Sequence, residues 1–554
     1  MVQIYCKNTK TVKNVAEGTP LLDIVDSFEF ERPYPIVSAK VNNVSQGLKY
    51  RVYQSRDVEF VDLRDGSGMR AYCRSLCFLL VKAVRDALPG YRLYIEHPIS
   101  GGYYCNLRKP DRKVVSQEEV DAVKERMQEI IRKDLPFHRH ELQTEEAIKI
   151  FADRGMDDKV KLFSTSQEVY SDYYTLGETV DYYYGCLVPS ASFLQIWDLV
   201  KYENGLILRL PDHNHPDRLA PAMEQPRTFE VFAEYLRWNV IMGLSNVGDL
   251  NKACQDGHAT ELIQVSEALQ ERKIVKIAEE IEKRYNDPEN PLKIVLITGP
   301  SSSGKTTFCN RLSVQLKACG LHPLSLSTDD YFVNRVETPK LPNGMYDFDH
   351  FDTVDHAMLE SDMLKVLAGE RIDIPEYDFV TGKREYKGKS FKLTKGSIIL
   401  IEGIHALNPL LLPSVEDKYK YRIFINTLTS VSLDNHNTIP PTDTRLLRRI
   451  MRDYTKGYFS AMETIRQWPS VCEGEEKWIR PYQETADTMF NSSYLIEFAV
   501  LRTRAEQILS TVPKNKAEYA EAHRLMHFLH YFVPVDDRQI PFTSLLREFL
   551  GPNV

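Results

Sequence analysis

The run Gly299-Pro300-Ser301-Ser302-Ser303-Gly304-Lys305-Thr306-Thr307 carries the most specific chemistry in the chain. Its glycines let the backbone curl until successive N–H groups face one anion, with Gly299, Ser301, Ser302, Ser303, Gly304 and Thr307 ranged around the phosphates. Lys305 is spaced to reach the β and γ phosphates, and Thr306 offers a hydroxyl to magnesium. A helix beginning near Phe308 adds its positive end. The alternative is a chance Gly/Ser loop, but the run follows the strand KIVLITG and precedes a helix, the context a phosphate loop requires. Such a loop specifies a nucleotide and leaves the reaction open.

The acids around it must discriminate. Leu324-Ser325-Leu326-Ser327-Thr328-Asp329-Asp330-Tyr331-Phe332 reads as a strand ending in two acids, and a parallel sheet delivers that end to the edge that carries the phosphate loop. Asp329 is thereby placed to accept a hydroxyl proton, or the pair merely caps a turn. Ile398-Ile399-Leu400-Ile401-Glu402-Gly403 is an apolar strand whose terminal Glu402 suits magnesium or its water shell.

The elements that position these residues change character along the chain. After the turn-forming cluster Asn286-Asp287-Pro288-Glu289-Asn290-Pro291, buried strands alternate with helices, and Lys293–Thr298 and Ser397–Ile401 are continuous apolar runs of the kind central parallel strands need. Residues 290–500 are read as one α/β unit. Residues 1–62 read as a small strand-rich unit, with Val2–Tyr5, Ile36–Val41 and Val58–Val61 around a helical piece, Leu21–Ser27. Residues 63–220 mix helices and strands, 221–289 form a helical connector that includes Glu261–Arg284, and 501–554 form a helical tail in which no chemistry is visible.

The bulk properties set broad bounds. A length of 554 residues calls for several domains, and 43% hydrophobic with 27% charged residues is ordinary for a folded chain. A net charge of -8 gives no whole-molecule attraction to nucleic acid or anionic membrane. The amino terminus lacks a secretory pattern, no stretch is apolar enough to span a bilayer, and nine scattered cysteines suggest reduced thiols. A cytoplasmic location and no membrane partner are expected.

Six elements occur in one order: the phosphate loop, S-T-D-D-Y-F, Y-D-F-D-H-F-D, I-P-E-Y-D-F, I-I-L-I-E-G-I and T-D-T-R-L-L-R-R-I-M-R-D. Over about two hundred residues this resembles uridine kinase and its phosphoribulokinase relatives. The resemblance implies a P-loop parallel-sheet fold and transfer of the γ-phosphoryl group of ATP, or GTP, to a nucleoside 5′-hydroxyl with Mg2+ as cofactor. It implies Asp329 as the acid–base, Asp349 on ribose hydroxyls, and Tyr377 against the base. Arg449, Arg452 and Gln467 match polar positions of the lid and acceptor site. The chain departs where the kinases carry a pyrimidine-contacting His, since Thr381-Gly382-Lys383 stands there, and Thr455-Lys456-Gly457-Tyr458-Phe459 replaces the lid arginines. A sugar or other hydroxyl acceptor, or a regulatory nucleotide-binding or RNA-associated protein, stays open beside nucleoside kinase.

The amino-terminal 220 residues resemble the front of threonyl-tRNA synthetase, a β-grasp-like TGS domain followed by an α+β editing domain. The likeness lies in DGSGMRAYCRSLCFLLVKAVRDALPG, ISGGYYCNL, ERMQEIIRKD with EEAIKIFADRG, and ETVDYYYGCLVP. Where editing needs a His pair and a later Cys-His pair, this chain has Cys73 with Cys77 or Phe78, and Tyr183 with Leu187, so that site reads as dismantled. Cys73 and Cys77 read as buried helix cysteines, and His213, His215 and His258 as surface histidines. The implied partners are a small nucleoside-like acceptor, tRNA or a regulatory ligand at the amino-terminal half, and a second copy in a homo-oligomer.

Overall fold

The computed structural model describes residues 1–551 except 112, 290, 342, 343, 345 and 430, so Asn290, where a boundary was expected, lies outside the described residues. The amino-terminal strands form a five-stranded sheet of β1 (Val2–Cys6), β2 (Thr11–Val15), β3 (Ser38–Val41), β4 (Val44–Gly47) and β5 (Arg56–Val61). Their order is β2-β1-β5-β3-β4, with β1 parallel to β5. Helix α1 (Leu21–Val25) closes a small core of Ile4, Ala39, Val58 and Phe60 against it.

Helix α2 (Gly66–Ala87) starts at Asp65, whose carboxylate accepts from the Ser67 amide and satisfies a donor the helix leaves free. It lies among β6 (Arg92–Ile99), β7 (Gly102–Arg108) and α3 (Gln117–Arg132), and its Leu76, Phe78, Leu79 and Leu80 are fully enclosed. Beyond these come β8 (Phe137–Gln143), α4 (Thr144–Ala152), α5 (Asp157–Ser164), β9 (Tyr170–Leu176), β10 (Thr179–Asp181), β11 (Asp198–Tyr202) and β12 (Gly205–Arg209). They complete sheets β8-β9-β10 and β11-β12-β7-β6. Cys77, Phe78, Tyr183 and Leu187 share the hydrophobic core of this region, and burial pushes the Cys73 thiol up to about 12. Three helices follow, α6 (Pro226–Met242), α7 (Val247–Gln255) and α8 (Ala259–Tyr285).

The carboxy-terminal sheet is built of β13 (Ile294–Thr298), then, after α9 (Lys305–Ala318), β14 (His322–Ser327). Helix α10 (His356–Leu367) and the hairpin β15 (Glu376–Asp378) and β16 (Lys383–Glu385) precede β17 (Ser397–Glu402) and β18 (Lys420–Asn426). Helices α11 (Pro441–Thr455) and α12 (Ala461–Trp478) lead to β19 (Thr488–Asn491). The order is β14-β17-β13-β18-β19, and every neighbouring pair is parallel. Both faces are covered, which is why the strands read as unbroken apolar runs. Val295, Ile297, Ile398 and Leu400 face one core, while Ile294, Leu296, Ile399 and Ile401 face another.

The last helices, α13 (Glu497–Leu509), α14 (Tyr519–Leu529) and α15 (Arg547–Leu550), correct the reading of residues 501–554 as a mere tail. Leu501, Leu525, Phe528, Leu546 and Phe549 belong to the same core as Val295 and Ile297, because their apolar stripes match the layer that the sheet's face leaves open. That core also contains Phe151, Leu162 and Tyr182 of the amino-terminal half.

Polar ties cross the same seam. Lys159 on α5 is wholly buried and lies 3.3, 3.0 and 3.2 Å from Asp158, Asp181 and Asp434. His436 Nδ1 and Asp181 are 2.7 Å apart, and the Ile95 amide donates to the Asn435 carbonyl at 2.8 Å. The three carboxylates hold the Lys159 ammonium well above its ordinary range despite burial. On the other side, Arg70 of α2 pairs with Glu521, and Arg524 pairs with Glu521 and grips Asp443 of α11 through both nitrogens. Among the described residues no helix is long and apolar enough to cross a membrane, and the nine cysteines are free.

Candidate active site at the carboxyl edge of the parallel sheet

Strand β13 ends at Thr298, and the chain turns through Gly299–Gly304 into α9. The turn is tight enough to hold Ser302 at φ 61° and Gly304 at φ 86°. The Ser302 and Ser303 hydroxyls are buried and find no hydrogen-bond partner among the described residues, so the loop keeps donors in reserve for an anion. Lys305 folds back and donates to the carbonyls of Gly299 at 2.8 Å and Pro300 at 3.1 Å. Burial pulls its pKa down, and the carboxylates of Glu402, Asp329 and Glu548 work against that pull.

The ends of β14 and β17 supply the acids. Glu402 Oε1 accepts from the Thr306 hydroxyl at 3.2 Å and from the Ser327 hydroxyl at 3.3 Å. Burial, reinforced by Asp329, pushes Glu402 up to about 7. A carboxylate and a hydroxyl so joined form an oxygen pair suited to a hard divalent cation. Asp329 sits in a short turn after β14 and is raised chiefly by burial. The two acids have different further neighbours: besides Asp330, Asp329 feels Lys305, Arg452 and Asp349, whereas Asp330 feels Lys389, Glu376 and Lys387 beside the β15–β16 hairpin.

Helix α11 sorts its arginines by turn along one face. Arg445 is buried against Glu475 at 2.5 Å, and Arg448 against Glu497 at 2.5 Å with further bonds to Ser492. One turn over, Arg449 Nη1 donates to Ser301 Oγ in the phosphate loop at 2.9 Å. Arg452 Nε lies 3.3 Å from Asp453, and its charge helps lower Asp329. Arg449 and Arg452 therefore face the loop and its acids, while Arg445 and Arg448 hold the helix in place.

On the acceptor side, burial pushes Asp349 up to about 6, with Arg449 the main opposing charge. Tyr377 is buried in β15 with ring centroids 5.5 Å from Phe332 and 5.1 Å from Phe379, and its hydroxyl has no partner among the described residues. Gly382 closes the β15–β16 turn at φ 69°, and a Cβ there would lie 2.8 Å from Arg335, so the space a side chain needs is filled. Gln467 is half-buried on α12, and its side chain makes no hydrogen bond with a described residue.

Two residues at this edge escaped sequence reasoning. His405, three positions beyond Glu402, is buried among Phe351 and Trp478 with the backbone of His350 and Asp349 beside its ring, and burial lowers it to about 4. Its signal was a polar residue just past a strand-end Glu-Gly. Glu548 accepts from the Thr307 hydroxyl at 2.7 Å and comes from α15, far away in the chain; nothing in its local sequence marks it.

Comparison with known proteins agrees with this geometry. The model of the phosphoribulokinase / uridine kinase family matches residues 294–495. A uridine kinase of Proteus mirabilis is 30% identical over 197 residues, which cover 35% of this chain and 81% of that protein. A threonine–tRNA ligase of Parabacteroides distasonis is 25% identical over 185 residues, 33% of this chain, and the chain spans only 28% of that ligase's length. Among solved structures, the D-glycerate 3-kinase of Cryptococcus neoformans aligns with 40% of this chain and 92% of its own at a TM-score of 0.28 and 14% identity. With its P-loop-bearing parallel sheet in the carboxy-terminal half, the chain belongs to the phosphoribulokinase / uridine kinase family.

Proposed function

We propose that the chain is an ATP-dependent kinase that phosphorylates a hydroxyl of a nucleoside-like acceptor. The carrying observation is that the turn bearing Asp329 follows β14 at the edge that holds the phosphate loop, where the Ser327 hydroxyl accepts from the Asp329 amide at 3.3 Å and donates to Glu402 at 3.3 Å. In this reading the loop amides, the free Ser302 and Ser303 hydroxyls and Thr307 receive the phosphate chain. Lys305 leaves the carbonyls of Gly299 and Pro300 for the γ-phosphate. Magnesium held by Thr306 and Glu402 would neutralise the phosphate oxygens. Asp329 takes the acceptor's hydroxyl proton as the new O–P bond forms and the β–γ bridge bond breaks, with Arg449 and Arg452 stabilising the charge that spreads over the equatorial oxygens.

Asp349 is read as the group that holds a diol, and Tyr377 as part of the wall for a flat base. His405 is a further polar group available to the acceptor. The filled space at Gly382 argues against the His contact of a pyrimidine kinase and for a broader or different acceptor. For the amino-terminal half we read a TGS-like unit over 1–62 and an editing-like unit over 63–220 that binds without hydrolysing. The enclosed Tyr183 and Leu187 support this, and so does the similarity to a threonine–tRNA ligase.

The experiment is ADP release by the purified full chain with magnesium ATP and a panel of ribonucleosides, 2′-deoxynucleosides and sugars, with Lys305→Ala as the control. Ribonucleosides are expected to stimulate release most. If no hydroxyl acceptor raises ADP release above the Lys305→Ala background, the kinase reading fails.

A further inference from the structure

The phosphate loop has a wall that the family-matching residues 294–495 do not supply. Residues 544–550 return from α14 to the mouth of the loop. Leu545 packs on Gly304 so closely that a Cβ at residue 304 would lie 2.7 Å from its Cδ2. Phe549 lies under the Arg448 guanidinium at 4.8 Å, and Arg448 itself reaches the Ser302 carbonyl at 3.5 Å. Arg504 donates to the Leu550 carbonyl at 2.5 Å. With Leu545, Leu546, Phe549 and Leu550 buried, Glu548 is held fixed from both sides.

What is held is a carboxylate on an anion site. Glu548 Oε2 accepts from Thr307, a residue in the first turn of α9, where helix N–H groups and the helix dipole favour negative ligands. Its charge is felt at Lys305 and at Glu402 of the phosphate-loop edge. Anchoring the segment does not call for a charge, since Leu545 and Phe549 already do that.

We infer that Glu548 is an affinity-setting residue of the nucleotide site: its carboxylate competes with the phosphate chain for Thr307 and repels it, weakening nucleotide binding and speeding departure of the spent nucleotide. The inference rests on the kinase reading above. The neutral amide of Glu548→Gln can still accept from Thr307, so the segment stays docked while the repulsion goes.

Calorimetric titration of the full chain with magnesium ADP and magnesium ATP tests it, comparing wild type, Glu548→Gln and Glu548→Lys at low and high salt, with melts of the ligand-free proteins as the folding check. Dissociation constants are expected to fall about five-fold for Gln, the effect of one partly screened unit charge, and further for Lys. The gap should narrow at high salt. Equal or weaker nucleotide binding by folded Glu548→Gln overturns the inference and leaves the kinase reading standing. Absence of nucleotide binding by the wild type overturns both.

Discussion

Replacing Asp349 by Asn is expected to stabilise the ligand-free protein, and to do so more as pH rises. The carboxyl is pushed up to about 6 from an ordinary 3.8, chiefly by burial, with Asp347 and Glu475 adding and Arg449 opposing. Between those values the native protein keeps a proton that the unfolded chain has released. Because the folded value lies above the unfolded one, the group's contribution to stability is fully present below about pH 4 and is lost as pH climbs through about 6. A difference of about two pK units, at about 1.4 kcal/mol each, sets a ceiling near 3 kcal/mol at pH 8, against roughly 0.5 kcal/mol at pH 4. Asp349 retains some solvent contact, so about half that ceiling is the working figure. In a chain of this size that amounts to a few degrees at most. The assay is matched-rate thermal melting of wild type and Asp349→Asn at mildly acidic and mildly basic pH without nucleotide. The same variant should show a raised KM for ribonucleosides, since the amide cannot accept from both hydroxyls of a diol. A variant no more stable than wild type at basic pH would refute the buried-charge argument.

For Asp329→Asn, turnover should fall by about two to four orders of magnitude while calorimetry still detects nucleotide, because the shape is kept and the proton acceptor is lost; a far larger loss from Asp330→Asn would reverse the assignment of the two acids. Lys159→Met leaves Asp158, Asp181 and Asp434 enclosed without the ammonium they share and should cost about 3–5 kcal/mol. A lowered melting point partly recovered by adding Asp434→Asn is the expected signature, and an unchanged melt would show that the seam does not depend on the pair.

The parallel sheet was legible because strands covered on both faces must be apolar through their middle, as residues 294–297 and 398–401 are. The loop's anion-binding residues were legible because they are contiguous and their spacing is itself the mechanism. The choice of Asp329 over Asp330 came from the family resemblance alone, since adjacent acids in a turn look alike until their charged neighbours are known. His405 left only a faint trace, a polar residue just past a strand-end Glu-Gly, and Glu548 left none. A buried imidazole and a carboxylate on Thr307 are properties of burial and of long-range return of the chain. The helices expected over 501–554 were legible and their packing partner was not, because an amphipathic helix states that it packs and does not state against what.

The enclosed Lys159 cluster bears on how such a chain can be inherited. Its cation comes from the amino-terminal half and one of its three anions, Asp434, from the carboxy-terminal half, within a seam that also shares Phe151, Tyr182 and Phe528. A gene split between the halves, or a recombination that exchanged only one of them for a distant relative's, would strand charge on both products. The two halves are therefore bound to drift together: a substitution at Asp181 or Asp434 restricts what the other half can tolerate, and descent should track the pair as one unit.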